Sequence, residues 1–532
     1  MLVKEFIPQF LVKNECDHVF GMSGANIEEL FSEIQNTHID ITLAKNEYNA
    51  AMMAIGYYQK QRKPGFVLTT SGGAVMNTLP VLAEAYSTYN PLFLIAGQAP
   101  SHLEGKGAFQ DSSGKADSFN LEEVLTPMTT KTHKLKEGDD LSEVMIELYK
   151  KAIQSKRPVA LLIPKELFST YTTGEEIKKV HSSSNSKKKD LSQVDQILNK
   201  SKKLLIVVGE EVEKSFYQKA VLNLAREYNA KIACVPTQKG FLPYNEKSFL
   251  GVIGMMGDKP VQIEFDNSDT LLFLGVQFNL LSSFGCKKTL AQKRIISIGT
   301  REDYIAENKL KFTCDPNIFL KKFQFDSPMN IQKTKIEHDE NSYSLKSIMQ
   351  KLNMAIKNGD DLFVDAGNTG ASAVHHLKYK GDGVFYISLG MGGMGNSVGA
   401  AIGSCISSKN KTYTILGDGS FLMYGLEIHT ALEKKLPLTF VIINNNSHGM
   451  CSTREEIFLN KKTDLNNFAP SYYAKGMREM FPGLETFEIK NRKELDSALE
   501  TIKVSHKTSL LSITIENNEL PPFNSFKKGN QK

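Results

Sequence analysis

The sequence predicts an α/β protein built from three doubly wound parallel-sheet domains. Short apolar runs alternate with helix-periodic segments along most of the chain, the pattern of strands joined by crossover helices. A length of 532 residues holds about three domains of ordinary size. Two stretches poor in apolar residues, 173–190 and 327–342, read as linkers between them. The domains expected are therefore 1–172, 190–326 and 343–520, with a disordered tail at 521–532.

Composition narrows the class. Charged residues are 23% of the chain and the net charge is +5, so nothing marks a partner among nucleic acids or membranes. The run Lys187-Lys188-Lys189 sits in a Ser/Lys-rich stretch and reads as solvated linker. Six cysteines, at 16, 234, 286, 314, 405 and 451, form no CxxC pair, which predicts reduced thiols rather than a disulfide frame or a zinc site. Lys4 and Glu5 interrupt the amphipathic N-terminus, so it is neither a signal nor a transit peptide. Only 384–406 approaches the apolar length of a membrane span, and its glycines and Asn396 predict a buried strand-loop-helix instead. The expectation is a soluble, cytoplasmic protein.

In the first domain, apolar runs at 19–20, 39–43, 65–69, 91–95 and 159–163 predict strands. Each ends near Gly, Ser, Thr or Asn, small residues suited to a ligand-facing edge. Glu47 follows the second run and opens a helix expected at 50–59. The second domain has runs at 204–208, 231–235, 270–274 and 294–298. The third begins with a helix at 345–357 and a strand at 362–364, followed by the loop Asp365-Ala366-Gly367-Asn368-Thr369-Gly370. His375-His376 fall in the next helix with no third metal ligand in sight.

The most informative stretch is 412–450. An apolar run, 413–416, ends at Gly417-Asp418-Gly419-Ser420; a helical pattern covers 422–433; a second run, 438–443, ends at Asn444-Asn445-Asn446. A right-handed crossover places both carboxyl ends on one sheet edge, so Asp418 and Asn445, 27 positions apart, can converge. With the Ser447 carbonyl they offer an incomplete all-oxygen cage, which suits Mg2+ completed by phosphate oxygens. Two ordinary turns are the plain alternative. Upstream, Ser388-Leu389-Gly390-Met391-Gly392-Gly393-Met394-Gly395 satisfies GxGxxG between a strand and a helix, and Asp418 lies 23 positions beyond it. An NAD-dependent dehydrogenase is thus a competing class, and a catalytically silent binding protein is a third.

The GDG…NN spacing resembles the signature of thiamine diphosphate-dependent enzymes, and the NNN..GM ending through Met450 is most similar to the acetolactate synthase branch, large catalytic subunit type. The resemblance implies a pyrimidine-binding, a central and a diphosphate-binding domain. It also implies that Glu47, in the context Thr42-Leu43-Ala44-Lys45-Asn46-Glu47, hydrogen-bonds the cofactor's aminopyrimidine. Thr70-Ser71-Gly72-Gly73-Ala74 and Asn77 resemble TSGPG…N beside the cofactor, with Gly73 where proline is usual. Phe109-Gln110-Asp111 resembles a segment whose Phe and Gln face the substrate. Arg157-Pro158-Val159…Ile163-Pro164-Lys165 is similar to a strand end whose lysine lines the substrate channel; a surface lysine closing a strand is the alternative.

Asn368, Thr369, Gly392, Gly417, Gly419, Ser420 and Met450 are implied cofactor contacts, and Met394 is the implied apolar prop that bends the cofactor. The segments 251–257 and 275–278 resemble those that hold FAD in acetolactate synthases. Here Met256 and Gln277 replace His and Arg, and losing that donor fork argues against FAD. Arg454 stands where acetolactate synthases carry tryptophan, a residue this chain lacks altogether. Arginine binds carboxylate or phosphonate bidentately, so a substrate with an extra anion is expected. The implied activity is thiamine diphosphate- and Mg2+-dependent decarboxylation of a 2-keto acid with carboligation to a second carbonyl compound, simple decarboxylation being the alternative. Because Glu47 and Asp418 of such enzymes serve one cofactor from different subunits, a homodimer or dimer of dimers is expected.

Overall fold

The computed structural model describes residues 1–174, 176–180, 191–307, 309–332, 343–461, 463–516 and 519–523. Most of both expected linkers (181–190 and 333–342) and the tail from 524 onward lie outside the described residues.

Three six-stranded sheets carry the chain, and every neighbouring pair of strands is parallel. The first contains β1 (His18–Gly21), β2 (Asp40–Leu43), β3 (Gly65–Thr69), β4 (Leu92–Gln98), β5 (Thr132–Lys134) and β6 (Val159–Pro164), in the order β2-β1-β3-β4-β6-β5. The second contains β7 (Leu204–Val208), β8 (Lys231–Cys234), β9 (Phe249–Val252), β10 (Thr270–Leu274), β11 (Arg294–Ile298) and β12 (Leu310–Phe312), in the order β12-β11-β10-β7-β8-β9. The third contains β13 (Asp361–Val364), β14 (Phe385–Ile387), β15 (Thr412–Gly417), β16 (Leu438–Asn444), β17 (Glu485–Ile489) and β18 (Ser509–Thr514), in the order β14-β13-β15-β16-β18-β17. Central strands such as LLIVV and TLLFL are buried along their whole length because helices cover both faces.

Hydropathy missed β5, β9, β12 and β17, all of them edge strands, and β18. β18 is interior, but Ser509 and Ser512 break its apolar run. Both are satisfied sideways: Ser509 Oγ shares a hydrogen bond with Thr439 Oγ1 at 3.0 Å, and Ser512 Oγ donates to Glu488 at 3.0 Å.

Two expectations about local structure need correction. The helix expected at 422–433 begins earlier, at Asp418, and is broken by a 3-10 turn at Gly425–Glu427, where Gly425 packs tightly on the Phe421 ring. The loop expected at 365–370 is shorter, since helix Gly367–His376 starts inside it. In the linker segments, Val180 N donates to Asn14 Oδ1 at 2.8 Å and Lys247 N to Asn330 O at 3.1 Å, so their described parts are tied to the domains.

The first and third domains meet through helices Glu47–Gln61 and Asn396–Ser408. A Cβ on Gly56 would lie 1.9 Å from Ala400 O, and one on Gly403 would lie 1.9 Å from Met53 O, so only glycine permits this approach. The apolar stretch 384–406 is accordingly a strand, a loop and an interdomain helix. No helix of the described residues is long and apolar enough to cross a membrane.

Candidate active site

β15 and β16 are adjacent and parallel, with Gly417 opposite Ile443, so Asp418 and Asn445 leave the sheet side by side at one edge. Asp418 is the first residue of helix Asp418–Tyr424 and is 1% exposed. Its Oδ1 accepts from Gly419 N at 3.0 Å and its Oδ2 from Ser447 N at 3.2 Å. Burial outweighs these bonds and pushes the carboxyl up to about 6. A cation between the strand tips would reverse that shift by favouring the ionised form.

Asp418, Asn445 and Ser447 line a cleft of about 700 Å³ that opens to solvent. Gly417, Gly419, Ser420, Asn368, Thr369, Met394 and Met450 line it too, whereas Gly73, Asn77 and Gly392 are not among its walls. Gly367 and Gly449, which open helices Gly367–His376 and Gly449–Leu459, bring two first turns to the same walls, where the positive ends of the helix dipoles favour an anion. A Cβ on Gly419 would sit 2.7 Å from His448 Nδ1 and 3.2 Å from Met394 Cε; glycine there lets both side chains close on the backbone. Asn368 donates from Nδ2 to Thr453 Oγ1 at 3.1 Å, while its Oδ1 and His448 Nδ1 are buried without partners among the described residues. Both are polar atoms for a ligand to satisfy.

His448 was missed by the sequence reading. Its only signal was its place between the Asn run and Gly449-Met450. Gly392 lies in the loop before helix Asn396–Ser408 with φ +70°, clear of any atom that a Cβ would meet.

A second group of expected residues gathers in the first domain. Glu47, 7% exposed, opens helix Glu47–Gln61 and accepts from Asn77 Nδ2 at 2.9 Å; Asn46 caps that helix by accepting from Asn49 N. Gly73 opens a short helix after Gly72, whose φ is +68° and whose Cβ position lies 3.0 Å from the Gln110 side chain. Gln110 Oε1 accepts from Thr70 Oγ1 at 3.4 Å, and Phe109 beside it is 78% exposed. None of these residues lines the cleft, whose walls come wholly from 345–519.

The two groups are nevertheless wired together within the chain. Tyr48 stacks on Tyr424 at 3.8 Å and donates to Met394 O at 3.3 Å. Glu84 accepts from Gly390 N at 3.0 Å and Met391 N at 2.6 Å.

Lys165 closes β6, and its ammonium donates to Ala25 O at 2.6 Å and Glu28 at 3.2 Å, so its charge is already matched within the first domain. Arg454 is exposed on helix Gly449–Leu459, its guanidinium 5.0 Å from the Phe458 ring.

The dinucleotide reading fails on topology. The GxGxxG loop follows β14, an edge strand, and β13 separates β14 from β15, the strand that ends at Asp418. A ribose-binding acid belongs on the strand next to the glycine loop.

Residues 1–118, 191–323 and 365–513 match, in turn, the family models described as the N-terminal TPP binding, central and C-terminal TPP binding domains of thiamine pyrophosphate enzymes. The chain is 25% identical to the acetolactate synthase isozyme 2 large subunit of Escherichia coli over 529 residues, covering 94% of this chain and 92% of that protein. It is 24% identical to the acetolactate synthase large subunit of Lactococcus lactis over 541 residues, covering 97% and 92%. Its fold is similar to that of the thiamine diphosphate-dependent 4-hydroxybenzoylformate decarboxylase of Rhodococcus jostii, with TM-score 0.83 at 17% identity over 97% of this chain and 99% of that one. Three domain matches in the family's order, on three parallel sheets, show that the chain belongs to the thiamine pyrophosphate enzymes and is acetolactate synthase-like in sequence.

Proposed function

We propose that the protein catalyses Mg2+-dependent decarboxylation of a 2-keto acid followed by carboligation to a second carbonyl compound. The observation that carries this reading is the shared strand edge where Asp418, Asn445 and Ser447 stand beside two helix N-termini. That donor set is all oxygen, which fits Mg2+ and a diphosphate, and the unpartnered Asn368 and His448 atoms fit a polar ligand beside it.

Bound thiamine diphosphate supplies the electron sink for the bond pair left by departing CO2. Around it each residue has its own task. Glu47, held by Asn77, gives the aminopyrimidine its carboxylic acid partner. Met394, whose Cε lies against Gly419, would give the cofactor an apolar prop. Gly73 and Asn77 stand beside the cofactor, Gln110 and Phe109 face the substrate side, and Arg454 binds an extra anion on the substrate. Lys165 is left as a structural partner of Glu28, and Gln277 in place of an arginine argues against FAD.

Glu47 and the cleft come together between subunits of a homodimer or a dimer of dimers. Supporting this, the cleft lacks first-domain walls, and Leu422, Met423 and Leu426 are each more than half exposed on the segment that follows Asp418. Six free thiols fit a cytoplasmic enzyme.

Simple decarboxylation is the second reading, favoured by the likeness in fold to a decarboxylase. The test is CO2 release with product analysis over pyruvate and anionic 2-keto acids. A carbon-carbon-bonded product supports carboligation, an aldehyde equal to the CO2 supports the second reading, and no CO2 from any keto acid overturns both.

A further inference from the structure

The second and third domains enclose a small cleft of about 380 Å³, open to solvent, that shares no residue with the cleft at Asp418. Strand β9 forms one wall, where Phe249, Leu250 and Val252 supply apolar surface. Tyr244 and Tyr379 tie the two domains together beside it, Tyr244 N donating to Tyr379 O at 3.1 Å. The charged walls are Lys239, Lys378 and Asp258.

Lys239 follows the 3-10 turn Pro236–Gln238 beyond β8 and is only 8% exposed. A lysine buried this far is ordinarily paired, because an ammonium taken out of water without a partner is costly. Among the described residues the Lys239 ammonium has no hydrogen-bond or ion-pair partner. The same holds for the ammonium of Lys378, whose backbone N is fixed by Asn353 Oδ1 at 2.8 Å, and for the hydroxyl of Tyr244. Asp258 attracts Lys239 without bonding to it, and its Oδ2 instead accepts from Val252 N at 2.9 Å. Burial, opposed by Asp258 and helped by repulsion from Lys378, pulls the Lys239 ammonium down to about 8.

Two cations against one acid leave one positive charge uncompensated, which a single anionic charge would cancel. Three unused donors suit the two oxygens of a carboxylate, since hydrogen bonds between ionised groups are the strong ones. The apolar wall favours a ligand with a short carbon body over a mineral anion.

We propose that this cleft binds a small monocarboxylate, its oxygens held by Lys239, Lys378 and the Tyr244 hydroxyl and its carbon body lying against β9. Gly251 and Val252 of the flavin-like segment 251–257 border the cleft as part of that strand, whereas both cations come from outside the segment. None of the lining residues belongs to the larger cleft where all three domains meet.

The test uses full-length enzyme saturated with thiamine diphosphate and Mg2+ and titrated with propionate, binding being read by ligand-observed NMR. Saturable binding is expected for propionate and none for propionamide, which has the same shape without the charge. Lys239→Met and Lys378→Met should each weaken propionate at least about tenfold, the loss of one charge-assisted contact. Asp258→Asn removes the competing charge and should tighten it. An unchanged affinity for thiamine diphosphate shows that each variant is folded.

A second measurement needs no variant. Propionate should slow dinitrophenylation of Lys239 and Lys378 by fluorodinitrobenzene in the native enzyme, read by peptide mass spectrometry, without slowing that of the exposed Lys475. A propionate affinity that Lys239→Met leaves unchanged, equal or tighter binding of chloride or phosphate, weaker binding in Asp258→Asn, or no protection of either lysine would overturn the proposal.

Discussion

Glu84 offers a test of how the first domain supports the cofactor loop of the third. It lies on helix Leu79–Thr88, 1% exposed, and accepts from Gly390 N at 3.0 Å and Met391 N at 2.6 Å, the amides that begin the loop ending in Met394 and Gly395. Burial raises its pKa, and the two amides oppose that shift by binding the charged form. Glu84→Gln keeps the shape but replaces one acceptor oxygen with an NH2 donor. One backbone N–H is then left facing another donor, a penalty of about 1–3 kcal/mol for a buried unsatisfied group.

Because the penalty falls on the loop that places Met394 against Gly419, it is expected as weaker cofactor binding, roughly 5- to 150-fold in Kd. Calorimetric titration of thiamine diphosphate at saturating Mg2+ reads the affinity, and urea denaturation of the same variant reads global stability. An unchanged Kd with lowered stability would refute the reasoning, since Glu84 would then only hold the two domains together.

Three further outcomes are expected. Glu47→Gln should retain thiamine diphosphate binding yet lose at least about a hundredfold in kcat, the general range for losing an acid-base partner; full activity would remove Glu47 from the mechanism. Arg454→Ala should raise KM about tenfold or more for keto acids bearing a second anion and leave pyruvate unaffected, and an unchanged preference would exclude its role. His376 is half-buried beside His375, and desolvation followed by that neighbour pulls its pKa down to about 3. Between pH 6.5 and about 3 the unfolded chain therefore binds a proton that the native state refuses, and this contribution to stability falls as pH falls. Denaturation midpoints measured from pH 7 to pH 5 should drop less in His376→Gln than in wild type; equal drops would show that His376 does not contribute.

Much of this architecture was legible because parallel sheets buried on both faces write their strands as unbroken apolar runs. β3, β7, β10 and β11 coincide with the runs that predicted them. The edge strands were not legible, since three to five residues with one free side carry little pattern, and β18 was hidden by serines whose hydroxyls bond across the sheet. At the site, the Asp418 and Asn445 convergence followed from chain order and crossover handedness alone. What spacing could not give was contact between distant segments: the Asn77 grip on Glu47, the closure of His448 on Gly419, or the Glu28 partner of Lys165. The GxGxxG pattern misled because it records a tight turn before a helix, whereas the dinucleotide function depends on which strand precedes it.

The most direct test of the account is calorimetric titration of the intact protein with thiamine diphosphate, with and without Mg2+, alongside Asp418→Ala. Saturable binding of one cofactor per chain is expected with Mg2+, falling steeply after chelation and in the variant. Binding of equal strength without the metal and in Asp418→Ala would contradict a cofactor anchored through a cation at these strand tips.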